Sequence, residues 1–154
     1  YDYYEVHPGL VAGEATMWRA SGGAIYNTNY HLVWTTKHRR RVLHPPASET
    51  LTKAIVALCE EHGYTLLALK IVPDHVHVVL SVPPKVAPAT VAKILKGASA
   101  RILFAMHPEL KQELPEGRLW NPIYLVATAG RVRKSVIQEF VEAQKPGGEE
   151  SGGS

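Results

Sequence analysis

The stretch Pro73-Asp74-His75-Val76-His77-Val78-Val79-Leu80-Ser81-Val82 decides the fold of this chain and points to its site. Side chains alternate between the two faces of a β-strand, so His75 and His77 face the same way. The residues on the other face form an apolar stripe that can pack on a core, namely Val76, Val78, Leu80 and Val82. Two neutral imidazoles at this spacing can share a divalent metal ion, although many such pairs are simply half-exposed histidines.

The bulk composition is that of one ordinary globular domain. The chain has 154 residues, 45% of them hydrophobic and 20% charged. No apolar run reaches the roughly 18 residues of a membrane-spanning helix, and the first 20 residues lack the pattern of a secretory signal. The single cysteine, Cys59, excludes an internal disulfide. We therefore expect no membrane partner and a reducing, cytoplasmic compartment.

The positive charges are gathered in two places. The net charge is +3 and the pI is near 9.0, which permits nucleic-acid binding without requiring it. The first group surrounds His38 and consists of Lys37, Arg39, Arg40 and Arg41. The second group falls in a helical pattern and consists of Lys93, Lys96 and Arg101. A basic run is often only solvated surface, but five successive basic residues without an acid favour phosphate contact.

Periodicity and turn residues predict four strands and three helices. The strands are expected at 26–36, 64–72, 75–82 and 119–129, and the helices at 49–62, 89–106 and 131–145. Ser48 is expected to cap the first helix and Gly63 to end it. This order predicts an α+β, ferredoxin-like β-α-β-β-α-β antiparallel sheet with an extra C-terminal helix. His75 and His77 should then face away from the two helices that cover the sheet.

The ends of the chain differ in composition from the middle. Residues 1–23 show no clear period and predict an irregular N-terminal arm. Residues 24–145 contain all the predicted elements and form the expected domain. The tail 146–154 holds only Gly, Ser and Glu after Pro146, so we expect it to be disordered.

The last predicted helix carries two residues that can face the histidines. Phe140 and Gln144 are four residues apart and therefore share one side of the helix. If the helix lies across the open face of the sheet, the Gln144 carbonyl oxygen can complete a metal site with Phe140 beside it. Phe140 also belongs to an amphipathic stripe with Val136 and Val141, where it is an ordinary core residue.

At this point the chain resembles the small single-tyrosine transposases of the simplest bacterial and archaeal insertion sequences, within the HUH endonuclease superfamily. The resemblance extends from Tyr26 to Gln144 and is carried by five segments. These are Tyr30-His31-Leu32-Val33-Trp34, Lys37-His38-Arg39-Arg40, Pro73-Asp74-His75-Val76-His77, Lys96-Gly97-Ala98-Ser99-Ala100-Arg101 and Leu119-Trp120-Asn121-Pro122.

The resemblance implies an activity, a cofactor and partners. Members of the family cut and rejoin single-stranded DNA at element ends marked by imperfect hairpins, through a tyrosine that becomes joined to a 5′-phosphate. They work as homodimers in the prokaryotic cytoplasm, at the nucleoid, and hold Mg²⁺ or Mn²⁺. Carried onto this chain, the metal ligands are His75, His77 and Gln144. The implied DNA contacts are the two basic groups, Lys37, Arg39, Arg40 and Arg41 with Lys93, Lys96 and Arg101.

The chain departs from the family pattern at the nucleophile. The family places tyrosine four residues before the glutamine, and here that position is Phe140, which has no hydroxyl. Three explanations remain open. Phe140 is an engineered replacement of tyrosine, or the chain is a natural, domesticated derivative that binds hairpin DNA without cutting it. In the third, another tyrosine serves, and the candidates are Tyr26, Tyr30 and Tyr124.

Overall fold

The architecture is a four-stranded antiparallel sheet with helices on both of its faces. The computed structural model describes residues 19–21, 23–26, 28–128 and 134–144. A small hairpin pairs β1 (Arg19–Ser21) with β2 (Ala24–Tyr26). The main sheet has the order β4-β5-β3-β6, with β3 at Asn29–Thr36, β4 at Thr65–Val72, β5 at His75–Ser81 and β6 at Trp120–Thr128. All three pairings are antiparallel, which confirms the ferredoxin-like α+β fold.

Two long helices cover one face of the main sheet. They are α1 (Ala47–His62) and α2 (Pro88–Met106); a short α3 (Leu110–Glu113) and the final α4 (Lys134–Ala143) follow. The main core lies between the long helices and the sheet and includes Leu51, Leu95, Leu32, Val76 and Val78. None of the helices in the described part of the chain is both long and apolar enough to cross a membrane.

The two ends of the first long helix test the predicted capping residues. The first helix begins at Ala47 after Pro46, because the Pro46 carbonyl already accepts hydrogen bonds from the amides of Glu49 and Thr50. The prediction that Ser48 caps this helix is therefore wrong. Gly63 ends the helix as predicted, with φ of 76°, a left-handed conformation that glycine adopts without strain.

The N-terminal region contains more structure than the sequence predicts. Strand β1 lies within residues 1–23, which the sequence places in an irregular arm, and three residues are too few to show a period. Several predicted segments lie outside the described residues. They are 1–18 and 22 of that arm, 129 of the predicted last strand, 131–133 and 145 of the predicted last helix, and the predicted disordered tail 146–154.

Candidate functional site

The last helix packs on the face of the sheet that α1 and α2 leave open. Val141 in α4 is 5% exposed and lies in one small apolar cluster with Val33 of β3. Phe140 and Leu125 pack against the same cluster. Because Leu32 and Trp34 belong to the main core, Val33 must point to the opposite face. The predicted placement of this helix is thus the observed one.

The two motif histidines lie on this same open face. In the pairing of β3 with β5, Val33 lies opposite His77 and Thr35 lies opposite His75. Val76 and Val78 enter the main core, so the alternate residues His75 and His77 face α4. His77 is only 2% exposed, whereas His75 is half-buried. The sheet and the last helix therefore enclose the His77 imidazole.

A buried carboxylate fixes the orientation of His75. Asp74 accepts a hydrogen bond from His75 Nδ1 at 3.0 Å and one from Arg39 Nε at 3.2 Å, using a different oxygen for each. The hydrogen bond from His75 lowers the pKa of the Asp74 carboxyl, and the Arg39 contact lowers it further. Since the carboxylate can only accept, His75 Nδ1 carries a proton, and in the neutral form of the ring Nε2 carries the lone pair.

A second imidazole lies against His77. His31 Nδ1 and His77 Nε2 are 3.3 Å apart, and the two rings stack with centroids 5.5 Å apart. Burial lowers the pKa of His77 to about 3, and the nearby His31, His75 and Lys70 add to the effect. His77 is therefore neutral at physiological pH, which is the form that binds metal ions. Its Nε2 is shared with His31 rather than left open.

Gln144 lies at the carboxyl end of α4. It is 9% exposed, and its side-chain nitrogen donates to the Phe140 carbonyl at 3.2 Å. That bond uses the amide nitrogen and leaves the amide oxygen as the group that can bind a cation. The main-chain carbonyl of Gln144 accepts a hydrogen bond from Arg39 Nη1 at 3.5 Å. Arg39 thus touches both Asp74 and the end of the last helix.

The described side chains suit a metal ion, although they form no metal-binding group of three or more histidines, cysteines and acids. The predicted donor set instead consists of two imidazoles and one amide oxygen, which suits a divalent ion that accepts nitrogen and oxygen ligands. The Thr35 hydroxyl lies opposite His75, is fully buried, and makes no hydrogen bond within the described part. A polar ligand at this place would satisfy it.

The predicted DNA-contacting residues separate into two surfaces. Lys37 and Arg39 belong to a 3₁₀ turn that follows β3, and the exposed Arg41 lies close behind, all near the Asp74 end of the open face. The second group lies on α2, across the sheet from the histidines. There Lys93 and Arg101 are exposed.

Lys96 is held more tightly than its neighbours on α2. Its Nζ donates to the carbonyls of Asn121 at 2.8 Å and Pro122 at 3.2 Å. Burial lowers the pKa of the Lys96 ammonium. In this structure Lys96 therefore joins α2 to the start of β6, and its contact with DNA stays a prediction.

The site contains residues that the sequence analysis did not single out. Asp74, His31 and Thr35 surround the histidine pair, and Lys70 lies opposite His77 across β4 and β5. Alternation along β3 and β4 could have placed His31, Thr35 and Lys70 on the open face, whereas Asp74 lies in the turn before β5. Their pairing needed the strand register, which sequence alone does not supply.

Comparisons with known proteins agree on one family. A family model described as "Transposase IS200 like" matches residues 24–144. The ISDra2 transposase TnpA of Deinococcus radiodurans is 37% identical over 122 residues, which cover 79% of this chain and 87% of that protein. The IS200 transposase of Salmonella typhimurium is 28% identical over 119 residues, covering 77% and 78%.

A solved structure gives the same result. A crystal structure from Deinococcus radiodurans R1, described as that of a transposase, superposes with a TM-score of 0.77 at 36% sequence identity. The superposition covers 83% of this chain and 98% of the other. The matched family segment contains β3, the histidine strand and α4, and ends at Gln144. This chain belongs to the IS200-like transposase family.

Proposed function

We propose that this protein is a single-stranded DNA transposase scaffold whose cutting step is silenced at Phe140. Its substrate is single-stranded DNA that carries an imperfect hairpin near the end of an insertion element. The working unit is a homodimer of the domain formed by residues 24–145, acting on DNA in the prokaryotic cytoplasm at the nucleoid. The observation that carries the proposal is the packing of α4, which presents Phe140 and Gln144 to the face that holds His75 and His77.

The chemistry follows from these residues. With tyrosine at position 140, the phenolic oxygen would form a bond to phosphorus, the P–O3′ bond would break, and the leaving oxygen would take up a proton. The resulting protein–DNA link conserves the energy of the broken bond, so rejoining needs no external energy source. Phenylalanine lacks the attacking oxygen, so this chain can present the DNA but cannot begin the reaction.

The proposed ligands of Mg²⁺ or Mn²⁺ are His75, His77 and Gln144. A bound ion would neutralise charge on the non-bridging oxygens of the phosphate. Asp74 supports this assignment because it holds the proton of His75 on Nδ1 and leaves Nε2 available. For His77 to bind through Nε2, its hydrogen bond with His31 would have to open.

Basic residues would hold the DNA backbone while α4 covers the site. We assign phosphate contacts to Lys37, Arg40 and Arg41 beside the open face, and to Lys93 and Arg101 on α2. A cleft of about 410 Å³ beside α2 is lined by Arg101 and Arg118 among other residues. Because such contacts release counterions, affinity for DNA should fall steeply as salt rises.

The homodimer is supported by the edge of the sheet. Among the described residues, strand β6 pairs only with β3, and its Ile123 and Val126 are exposed apolar residues. Exposed edge strands tend to pair with another strand. Light scattering on the purified protein would give a mass twice that of the chain if the proposal holds.

The test is a cleavage assay that restores the missing hydroxyl. Phe140→Tyr and the unchanged chain are incubated with single-stranded hairpin oligonucleotides labelled at the 3′ end, with Mn²⁺ or with EDTA. A covalent, labelled adduct should form with Phe140→Tyr in Mn²⁺ alone. Phe104→Tyr is the matched control, since it adds the same hydroxyl at the other phenylalanine, which lies on α2.

Two other outcomes would refute parts of the proposal. If the unchanged chain forms the adduct, a tyrosine such as Tyr124 is the nucleophile. If Phe140→Tyr binds the hairpin but never cuts it, the second candidate function is correct, namely a domesticated hairpin-binding protein. Phe140 itself favours this second candidate, because a protein that only binds DNA needs no hydroxyl there.

A further inference from the structure

Arg39 lies in a strained turn beside the proposed site. His38 and Arg39 have φ of 59° and 52°, two successive left-handed residues that are not glycine. Such conformations are strained for residues other than glycine and persist only where the surroundings hold them. Backbone hydrogen bonds hold this turn from both sides, since the Lys37 amide donates to Leu119 at 2.8 Å and the Leu43 amide donates to Pro73 at 3.0 Å.

The strained turn directs the Arg39 side chain towards two parts of the site. Its Nε donates to Asp74 and its Nη1 to the Gln144 carbonyl, and the Arg39 side chain is only 23% exposed. The other oxygen of Asp74 accepts from His75. The Arg39 guanidinium therefore contacts two groups at once. One is the Asp74 carboxylate, which orients His75, and the other is the carboxyl end of α4.

We propose that Arg39 is a positioning residue that couples the docking of α4 to the orientation of His75. The inference rests on the proposed function, in which His75 and Gln144 bind the metal ion and α4 carries the nucleophile position. A helix of ten residues is not stable alone in water, so α4 depends on what it contacts. A cation at its carboxyl end satisfies a helix carbonyl and opposes the negative end of the helix dipole.

The planar guanidinium is the feature that the coupling requires. Its N–H groups point in fixed, divergent directions and can serve two acceptors at once. A lysine ammonium keeps the charge but has a compact head, so it can serve Asp74 or the helix end but not hold both in place. The rival assignment makes Arg39 a simple phosphate contact, for which lysine is an adequate substitute.

Arg39→Lys separates the two assignments when it is studied without DNA. Hydrogen exchange of the α4 amides reports helix docking, and Mn²⁺ affinity, measured by electron paramagnetic resonance, reports the ligands. We expect Arg39→Lys to speed exchange in α4 at least severalfold and to weaken Mn²⁺ binding severalfold, by less than the roughly 10- to 100-fold that loss of Asp74, the outer-shell partner of His75, would cost. Lys53→Arg is the control, because it makes the reverse exchange at an exposed position of α1, on the other face of the sheet, and it should leave both quantities unchanged.

Asp74→Asn tests the same coupling from its other end. The change keeps the shape of the side chain and removes the charge that holds Arg39, so α4 should again exchange faster. A variant that merely fails to fold would lose protection in β3 and β5 as well. Retained protection in these two strands therefore shows that the effect is confined to α4.

The results that would overturn the inference are distinct from those that refute the proposed function. If Arg39→Lys changes neither α4 exchange nor Mn²⁺ affinity, Arg39 is no positioning residue. Faster exchange with unchanged Mn²⁺ affinity would also overturn the coupling to His75. If the unchanged protein binds no Mn²⁺, the proposed metal site fails. The exchange rate of the α4 amides in Arg39→Lys then decides by itself whether Arg39 holds α4 in place.

Discussion

Docking of α4 on the sheet should depend more on the burial of Val141 than on the intrinsic helix propensity of the residue at that position. Val141 is the buried residue of α4 that meets Val33, which is fully buried on β3. Val141→Ala removes two methyl groups, worth about 1.6 kcal/mol of burial at roughly 0.8 kcal/mol per carbon. Alanine recovers up to about 0.7 kcal/mol because it is the better helix former. The net loss is about 1 kcal/mol, which makes opening of α4 about fivefold more frequent.

Native-state hydrogen exchange measures this opening directly. Amides of α4 should exchange about fivefold faster in Val141→Ala. Amides of β3 that exchange only by global unfolding should speed up by the same factor, because the native state itself is destabilised, but they should stay far slower than those of α4. The control is Leu95→Ala in the main core, where Leu95 is fully buried. It should cost about 2–5 kcal/mol of global stability and leave α4 exchange unchanged, provided that α4 opens locally.

Two results would refute this reasoning. Unchanged exchange in Val141→Ala would mean that α4 is not held by the cluster with Val33. Acceleration of α4 exchange in Leu95→Ala by the same factor as in β3 would mean that the helix opens only when the whole domain unfolds. Neither result depends on DNA, on metal ions or on the residue at position 140.

Two further predictions concern buried titratable groups. Between pH 6.5 and about 3 the unfolded chain protonates His77 while the folded chain does not, so stability falls as the pH falls through this range. Urea denaturation in EDTA should therefore show a free energy of unfolding about 2 kcal/mol lower at pH 5.0 than at pH 7.5. His77→Gln should remove this difference. An equal difference in both proteins would contradict the pKa assigned to His77. Burial raises the pKa of Cys59 to about 12, so iodoacetamide at pH 8 should modify it only as fast as the protein unfolds. Faster modification in the folded protein would show that the thiol is accessible.

The sequence predicts the frame of the site because short-range signals determine it. Alternation in His75-Val76-His77-Val78 separates the two faces of β5, and helical spacing places Phe140 and Gln144 on one side of α4. The tight Pro73-Asp74 turn makes β4 and β5 antiparallel neighbours. Each of these inferences uses residues that are close along the chain.

The contacts that tune the site could not be predicted in the same way. His31 lies 46 residues from His77, and Arg39 lies 35 residues from Asp74. Their meeting depends on strand register and on a left-handed turn at residues that are not glycine. Lys96 gives a similar lesson, because a helical wheel places it outside the core but cannot foresee the carbonyls of Asn121 and Pro122 that hold it.

The two candidate functions share everything except the chemistry at one position. The basic residues that would meet DNA lie on and just after the 3₁₀ turn and on α2, whereas Phe140 on α4 packs against the apolar cluster of Val33 and Val141. Tyrosine differs from phenylalanine by one oxygen, so binding of the hairpin and docking of α4 should not depend on which residue is present. A silenced transposase and a dedicated hairpin-binding protein would therefore have the same affinity for DNA. Only the recovery of cutting by Phe140→Tyr can distinguish them, because cutting requires that the proposed metal ligands His75, His77 and Gln144 are still correctly placed around the restored hydroxyl.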